Sequence, residues 1–415
     1  MELRQGMYRV WTFLANYSLL LVIGAITALV WVNVDAHSYH ALIDFVPFAG
    51  LPEANLHFIV NDVLMAFFFF VAGKEVWEAV ILKEGELRGR KAMTPLIATA
   101  GGMIGPVAIY FAYLAFMGSE AMVAMRQGWA IPTATDIAFS YLIGRIVFGA
   151  GHPAIRFLLL LAIADDAGGL LILAVFYPTS TLAPIWLLLS VGAALLVYGL
   201  CNWLPRRLDR GDDLSRHATW VRTRLNFWPY AIAGAASWYA FYKAGIHPAL
   251  GLIPIIPAIP HADHNFGIYA EAEKYLKDLL NQIEHMLAAP VQVILFFFGL
   301  ANAGVAFTAV DHATWAVLLG LLIGKPLGIF IFGYFAARIL RLGLPVGMRL
   351  TDLLVLGSVA GIGFTVALFV ASVAFPSGEI QDAAKMGALL SFGSALFAVI
   401  LGRVMRVEKV SINRV

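Results

Sequence analysis

Two adjacent carboxylates, Asp165 and Asp166, lie inside the run Leu160-Leu161-Ala162-Ile163-Ala164-Asp165-Asp166-Ala167-Gly168-Gly169-Leu170, which is otherwise apolar over a full membrane thickness. An ionisable side chain near a bilayer centre costs at least about 2.5 to 3.5 kcal/mol on insertion scales, and two neighbours also repel. Such a pair needs positive company, which a bound cation, a lysine or protons can supply. Adjacent helical residues point about 100° apart. The two can therefore line one cavity from two directions, or one can bind an ion while the other pairs with a lysine. Lys325, in Leu321-Leu322-Ile323-Gly324-Lys325-Pro326-Leu327-Gly328, falls near the middle of another apolar run and itself needs a buried anion. Asp136, Asp165 and Asp166 are the partners at that depth. Asp136 follows Pro132, Thr133 and Thr135 in the run from Trp129 to Phe139. Proline removes a backbone donor and crowds the preceding turn, while the threonines offer oxygens to the released groups. The helix is expected to break there, with Asp136 offsetting the positive end of a half-helix.

The surroundings that must hold these residues are set by composition. With 61% hydrophobic and 13% charged residues and a mean hydropathy of +0.82, the 415-residue chain is too apolar for a soluble globular protein. The lipid bilayer is its first partner. Cys201 is the single cysteine, so an intramolecular disulfide is excluded. Arg4 and Arg9 precede an apolar run over 10–32 that imitates a signal peptide, but it is long and has no small-x-small cleavage site, so it reads as the first span. At about 20 apolar residues per span, twelve helices are expected, centred near residues 21, 68, 104, 136, 164, 193, 235, 252, 296, 325, 363 and 394. The chain is thus expected to be an all-α integral membrane protein, a single domain over 1–415 with twelve transmembrane helices.

Basic residues collect in cytoplasmic loops. Of the 28, 23 fall in alternate segments: the N-terminus, 83–91, 144–156, 205–225, 260–282, 336–350 and the C-terminus. The other loops hold Arg126, Lys243 and Lys385, and only Lys74 and Lys325 fall inside expected helices. Both termini are therefore expected on the cytoplasmic side. Because the basic residues follow topology, the net charge of +2 gives no indication of a nucleic-acid partner.

Other charges sit near helix ends. Glu75 and Glu78 share a face at i,i+3, which suits a solvated end or a cation-attracting funnel on the cytoplasmic side. Asp62 fits an outer vestibule or a cap for a neighbouring helix, and Glu284-His285 fits either a pH sensor or a solvated pair. His247-Pro248 is expected to begin a short helix, and the ten histidines form no metal-ligand spacing. Gly101 and Gly102 allow close helix approach. Gly357, Gly361 and Gly363, around Ser358 and Thr365, permit a second unwound helix. Two interrupted helices, one in each half, point to a secondary-transporter site at an interface of inverted repeats, here about 92–176 and 313–405. Their central members would cross where Asp136 and Lys325 offset opposite half-helix dipoles.

The chain resembles the NhaA-type sodium/proton antiporters in Asn61-Asp62, Gly101-Gly102-Met103-Ile104, Trp129 to Phe139, Leu161 to Gly168, Ala301-Asn302-Ala303-Gly304-Val305, Gly324 to Gly328 and Gly361-Ile362-Gly363-Phe364-Thr365. The resemblance implies electrogenic, alternating-access exchange of cytoplasmic Na⁺ or Li⁺ for external H⁺, serving sodium and pH homeostasis in a bacterial inner membrane. It implies no enzyme activity and no cofactor beyond the transported ions. It makes Asp165 and Asp166 the Na⁺ and proton carriers, Lys325 the partner of Asp165, and Thr135 and Asp136 the supports at the broken crossing. It also implies a homodimer, although 33–57, where the family's dimerising hairpin would lie, shows no strand alternation. Two departures fall in the family's cytoplasmic pH-sensing region. Lys74-Glu75-Val76-Trp77-Glu78 lacks the usual basic cluster, and Ala288 stands where a second histidine often follows Glu284-His285. The main alternative of another class is an intramembrane aspartyl protease, which also needs two carboxylates sharing a proton. Its Gly-x-Gly-Asp signature is absent, and Lys325 would hold the acid ionised. A channel fits less well, since conduction needs weak, multiple sites.

Overall fold

The computed structural model describes residues 18–48, 50, 54–82, 85, 87, 89–210, 216–261 and 278–410. Among these residues every regular element is helical and none is a strand. Helices satisfy their backbone polar groups within one segment, which a lipid environment demands. In chain order the principal elements are α1 (Leu19–Val34), α2 (Ala36–Ile43), α3 (Leu56–Ile81), α4 (Met93–Met117), α5 (Ser119–Thr133), α6 (Ile137–Phe148), α7 (Pro153–Phe176), α8 (Pro184–Leu208) and α9 (Trp228–Ala244). Then come α10 (Leu279–Asn302), α11 (His312–Ile339), α12 (Leu350–Ala360), α13 (Phe364–Ala374) and α14 (Glu379–Val404).

Seven of these, α3, α4, α7, α8, α10, α11 and α14, are long and apolar enough to cross a membrane, and the count reaches nine if α5 with α6 and α12 with α13 are each one span. The other expected spans, near residues 21, 235 and 252, correspond to shorter elements: α1 with 16 residues, α9 with 17, and the 3-10 segment Pro248–Ala258. The part of the first expected span before residue 18 lies outside the described residues, as do Arg4, Arg9, Lys83, Arg88 and His264. Within 33–57 the described residues include α2 and no strand. Lys385, expected in a loop, lies in the second turn of α14 because that helix already begins at Glu379.

The chain forms two compact units. The first comprises Met1–His57, Leu87–Gly169 and Leu295–Val415, and it contains Asp136, Asp165, Asp166 and Lys325. Its core joins Phe157, Leu158 and Leu161 of α7 to Leu353, Leu356 and Val359 of α12, with Phe148 of α6. The positions on α7 recur at three- and four-residue spacing and those on α12 at three, so each helix turns an apolar stripe to this core. The second unit comprises Phe58–Glu86 and Leu170–Ile294, with a core that includes Phe70, Val197, Tyr230, Ile255, Ile256 and Leu280.

Within the first unit, glycines decide where Lys325 goes. A Cβ on Gly101 would collide with the carbonyl oxygen of Gly328, and one on Gly105 with that of Gly324. In the other direction, a Cβ on Gly324 would lie 2.7 Å from the Pro106 Cα, and one on Gly328 would meet the Gly101 carbonyl. The backbones of α4 and α11 therefore touch, the small-residue packing expected where lipid supplies no hydrophobic drive between helices. A π-helical turn, Gly320–Gly324, ends immediately before Lys325 and leads into this contact. Replacing Gly328 with valine should force the helices apart at an overpacking cost of about 1 to 3 kcal/mol. A lowered thermal unfolding midpoint of the purified protein is the expected result, and an unchanged midpoint would disprove the close approach.

Candidate functional site

Pro132 sits near the end of α5, whose last residues, Arg126–Thr133, tighten into a 3-10 helix. The chain then runs extended before α6 begins, and α5 and α6 are bent by 57°. Helices α12 and α13 are bent by 54° across Gly361 and Gly363, without a proline. Each break leaves carbonyls and amides that the helix no longer pairs. The two breaks lie against each other and supply what each other lacks. At the end of α12, Ser394 donates to the Ser358 carbonyl at 2.7 Å, Ser140 to that of Val359 at 3.1 Å, and Thr135 to that of Ala360 at 3.2 Å. The Asp136 amide donates to the Ile362 carbonyl at 2.7 Å.

Asp136 also serves both starting helices. Its carboxylate accepts from the Phe139 amide of α6 at 3.3 Å and from the Thr365 amide of α13 at 3.4 Å, and the Thr365 hydroxyl donates to it as well. One negative charge thus caps two positive helix ends. Lys325 does the converse. Its buried ammonium donates to the Thr133 carbonyl at the end of α5 and lies 2.8 Å from Asp165 Oδ2.

The remaining oxygens are less engaged. Among the described residues Asp165 Oδ1 is buried without a hydrogen-bond partner, and the nearby Thr135 hydroxyl donates to the Ala360 carbonyl. Asp166 is half-buried, and its side chain makes no hydrogen bond or ion pair among the described residues. The structure therefore brings together Thr135, Asp136, Asp165, Asp166 and Lys325 in the first unit, and leaves carboxylate oxygen free there.

The other sequence candidates lie in the second unit. Asp62 Oδ1 is 3.7 Å from His247 Nδ1, and the Asp62 carbonyl accepts from the Trp238 indole at 2.7 Å. His247 caps the turn Pro248–Leu250, accepting from the Ala249 amide. Glu78 and Glu284 meet on Lys74, whose ammonium lies 2.7 Å from Glu78, 2.6 Å from Glu284 and 2.8 Å from Asn281 Oδ1. Glu75 is half-buried and His285 exposed. Sequence reasoning missed Ser140, Ser394 and Asn281 as partners. Their only signal was a polar side chain in an apolar stretch. Among the described residues, no group of three or more His, Cys, Asp or Glu could hold a metal ion as a resident.

Removing one member of a buried ion pair typically costs about 3 to 5 kcal/mol, because the other charge is left unpaired. Lys325→Ala should lower thermal stability on that scale, and the loss should be much smaller in an Asp165→Asn background. Additive losses in this double-mutant cycle would refute direct coupling.

Comparison with known proteins places this geometry. Residues 11–405 match the family described as Na+/H+ antiporter 1. The Na(+)/H(+) antiporter NhaA of Jannaschia sp. (strain CCS1) is 63% identical over 417 residues, covering 97% of this chain and 99% of that protein. That of Geobacter sulfurreducens is 44% identical over 401 residues, with 96% and 98% covered, and that of Desulfitobacterium hafniense 42% over 403 residues, with 96% of each covered. A match that spans nearly the whole chain, at identities this high, assigns it: the chain belongs to the Na+/H+ antiporter 1 family.

Proposed function

We propose that this protein exchanges cytoplasmic Na⁺ or Li⁺ for external H⁺, with Asp165 and Asp166 holding the ions and Lys325, Asp136 and Thr135 fixing the geometry around them. The observation that carries the reading is the pairing of an occupied and an unoccupied carboxylate. Asp165 shares Lys325, while among the described residues Asp165 Oδ1 and the side-chain oxygens of Asp166 accept no hydrogen bond. Ionised Asp136, Asp165 and Asp166 against one Lys325 leave an excess of two negative charges, which a buried site does not tolerate unpaired. A Na⁺ ion or protons can remove that excess, and the same oxygens cannot serve both. Exchange by competition follows.

If one Na⁺ displaces as many as two protons, net charge crosses the membrane, and a potential of 100 mV supplies about 2.3 kcal/mol per charge to drive Na⁺ out. The elements 92–176 and 313–405 follow one pattern of long helix, bent pair and long helix, with bends of 57° and 54°. This supports inverted repeats whose broken helices cross at the site, the arrangement through which one repeat can rock against the other to alternate access. Twelve spans with cytoplasmic termini, a bacterial inner membrane and a homodimer belong to the same reading. The placement of basic residues supports the orientation, and the bacterial relatives support the membrane. The cytoplasmic ends of α3 and α10, with Glu75, Glu78, Glu284 and His285, would form the ion funnel or pH-sensing region, and Asp62 the outer vestibule. The aspartyl protease alternative has no support among the three relatives named above, each of which is a Na(+)/H(+) antiporter.

Two measurements test the proposal. Asp166→Asn should abolish Na⁺-driven proton movement in proteoliposomes while the protein still inserts, because an amide neither releases a proton nor neutralises Na⁺. Wild-type rates in a well-inserted variant would remove Asp166 from the mechanism. In the wild type, the half-saturating Na⁺ concentration should rise as pH falls. A constant value across the range in which activity declines would mean separate routes for the two ions.

A further inference from the structure

The tripeptide His-Pro-Ala occurs at 152–154 and again at 247–249. In both places the histidine folds its ring back as a helix cap, Nδ1 accepting from the alanine amide at 3.1 Å for His152 and 3.4 Å for His247. His152 is the more telling of the two, because the helix it caps is α7, which carries Asp165 and Asp166. Proline at the first helical position has no amide to satisfy, so the Ala154 amide is the first that needs a partner, and the ring provides it.

A backbone N–H only donates. Nδ1 must therefore be unprotonated in this arrangement, and the proton of the neutral ring sits on Nε2. Nε2 faces Asp352 Oδ2 at 4.0 Å, and that oxygen also accepts from the Arg349 amide at the start of α12 at 2.7 Å. Among the described residues the charges acting on His152 are Asp352 and Arg349 from the start of α12 and Glu408 from the C-terminal segment. Arg349 and Glu408 pair with each other. The Phe148 ring, at the end of α6, lies 5.2 Å from the imidazole. The C-terminal segment is tied to the same corner, with Val410 donating to the Phe148 carbonyl at 3.0 Å and accepting from Gly151 at 2.9 Å. One buried imidazole, 5% exposed, thus sits where the end of α6 and the starts of α7 and α12 come together. These are the elements that carry the breaks and the carboxylates.

We propose that His152 is a proton-operated cap: a proton arriving from the cytoplasmic side goes to Nδ1, cancels the hydrogen bond from Ala154, and turns the ring into a cation that leaves the α7 N-terminus for Asp352. An imidazolium at a helix N-terminus faces both an N–H and the positive end of the helix dipole, so the capped arrangement cannot survive protonation. Asp352 provides the alternative, at a distance that a small ring movement closes. Burial holds the imidazole below its usual range, Asp352 pulls it back up and Arg349 opposes that pull. A base whose folded-state affinity for protons is lowered keeps its neutral cap at higher pH and loses it as pH falls. The cap is therefore intact in alkaline cytoplasm and released in acid, which couples cytoplasmic pH to the helix that bears the ion site. This inference rests on the proposed exchange and orientation only for its effect on transport; the switch itself is a property of the corner.

The test uses the full chain in two assays. Asparagine also caps helices but does not titrate, so His152→Asn keeps the hydrogen bond and removes the switch. In proteoliposomes, the acid limb of the pH profile for Na⁺/H⁺ exchange should move to lower pH by about 0.5 unit or more in His152→Asn, with the alkaline rate within about twofold of wild type. Asp352→Asn should move it the same way, since it withdraws the carboxylate that favours the imidazolium. The second assay follows hydrogen exchange of the peptide containing Ala154 across the same pH series, corrected for intrinsic rates. Wild-type protection should fall on the acid side and His152→Asn protection should persist. An unshifted acid limb in an active His152→Asn protein, or loss of protection that persists in it, would overturn the proposal. Absence of exchange in the wild type would instead defeat the proposed function, and hydrogen exchange would still decide the switch.

Discussion

The structure around the charges depends on one constraint: where water is absent, a released backbone group must find another donor or acceptor, at a cost of several kcal/mol if it does not. Breaking α5 from α6 and α12 from α13 creates that need twice. It is met by bringing the breaks together, so that Thr135, Asp136 and Ser140 serve carbonyls of 359–362 while Asp136 returns to cap α13. Neither break would be tolerable alone. The positions of Thr135 and Asp136 are therefore fixed by backbone chemistry before any ion is considered, and that rigidity is what an ion site needs from its supports.

With the backbone satisfied, the charges sort themselves. Asp136 is occupied by amides and a hydroxyl from two helices. Lys325 is held between Asp165 and the Thr133 carbonyl, where it offsets the negative end of α5. Asp166 is the charge left over. A like charge next to Asp165, with one lysine between the acids of the cluster and no side-chain partner of its own among the described residues, is relieved by anything that brings positive charge to it.

Much of this could be read from the chain because a charge in an apolar run is conspicuous. Asp165, Asp166, Lys325 and Asp136 stood out by contrast with their neighbours, and Pro132 marked the first break. The second break had only glycines to announce it, which permit unwinding and do not compel it. The hydroxyl partners were illegible, since a serine such as Ser394 gives no hint in sequence that it reaches Ser358 on another helix. The cluster on Lys74 shows the same limit. Spacing puts Glu75 and Glu78 on one face at i,i+3, and it gives no sign that Glu78 meets Lys74 at i,i+4 or that Glu284, 210 residues away from Lys74, joins them. Local periodicity reports which residues share a face and is silent on what that face meets.

The two buried lysines Lys74 and Lys325 differ in how far the groups around them are satisfied. The ammonium of Lys74 has three donors, and Glu78, Glu284 and Asn281 each offer it an acceptor. Lys325 has two hydrogen-bond partners among the described residues, Asp165 and the Thr133 carbonyl. Its carboxylate partner keeps one oxygen unpaired, with a second carboxylate adjacent in sequence. A saturated buried network resists change because every rearrangement costs a bond. An unsaturated one has arrangements of similar energy that differ in where the cation or proton resides. A buried lysine paired with a carboxylate occurs in both places, and the two differ in how many acceptor oxygens are left over.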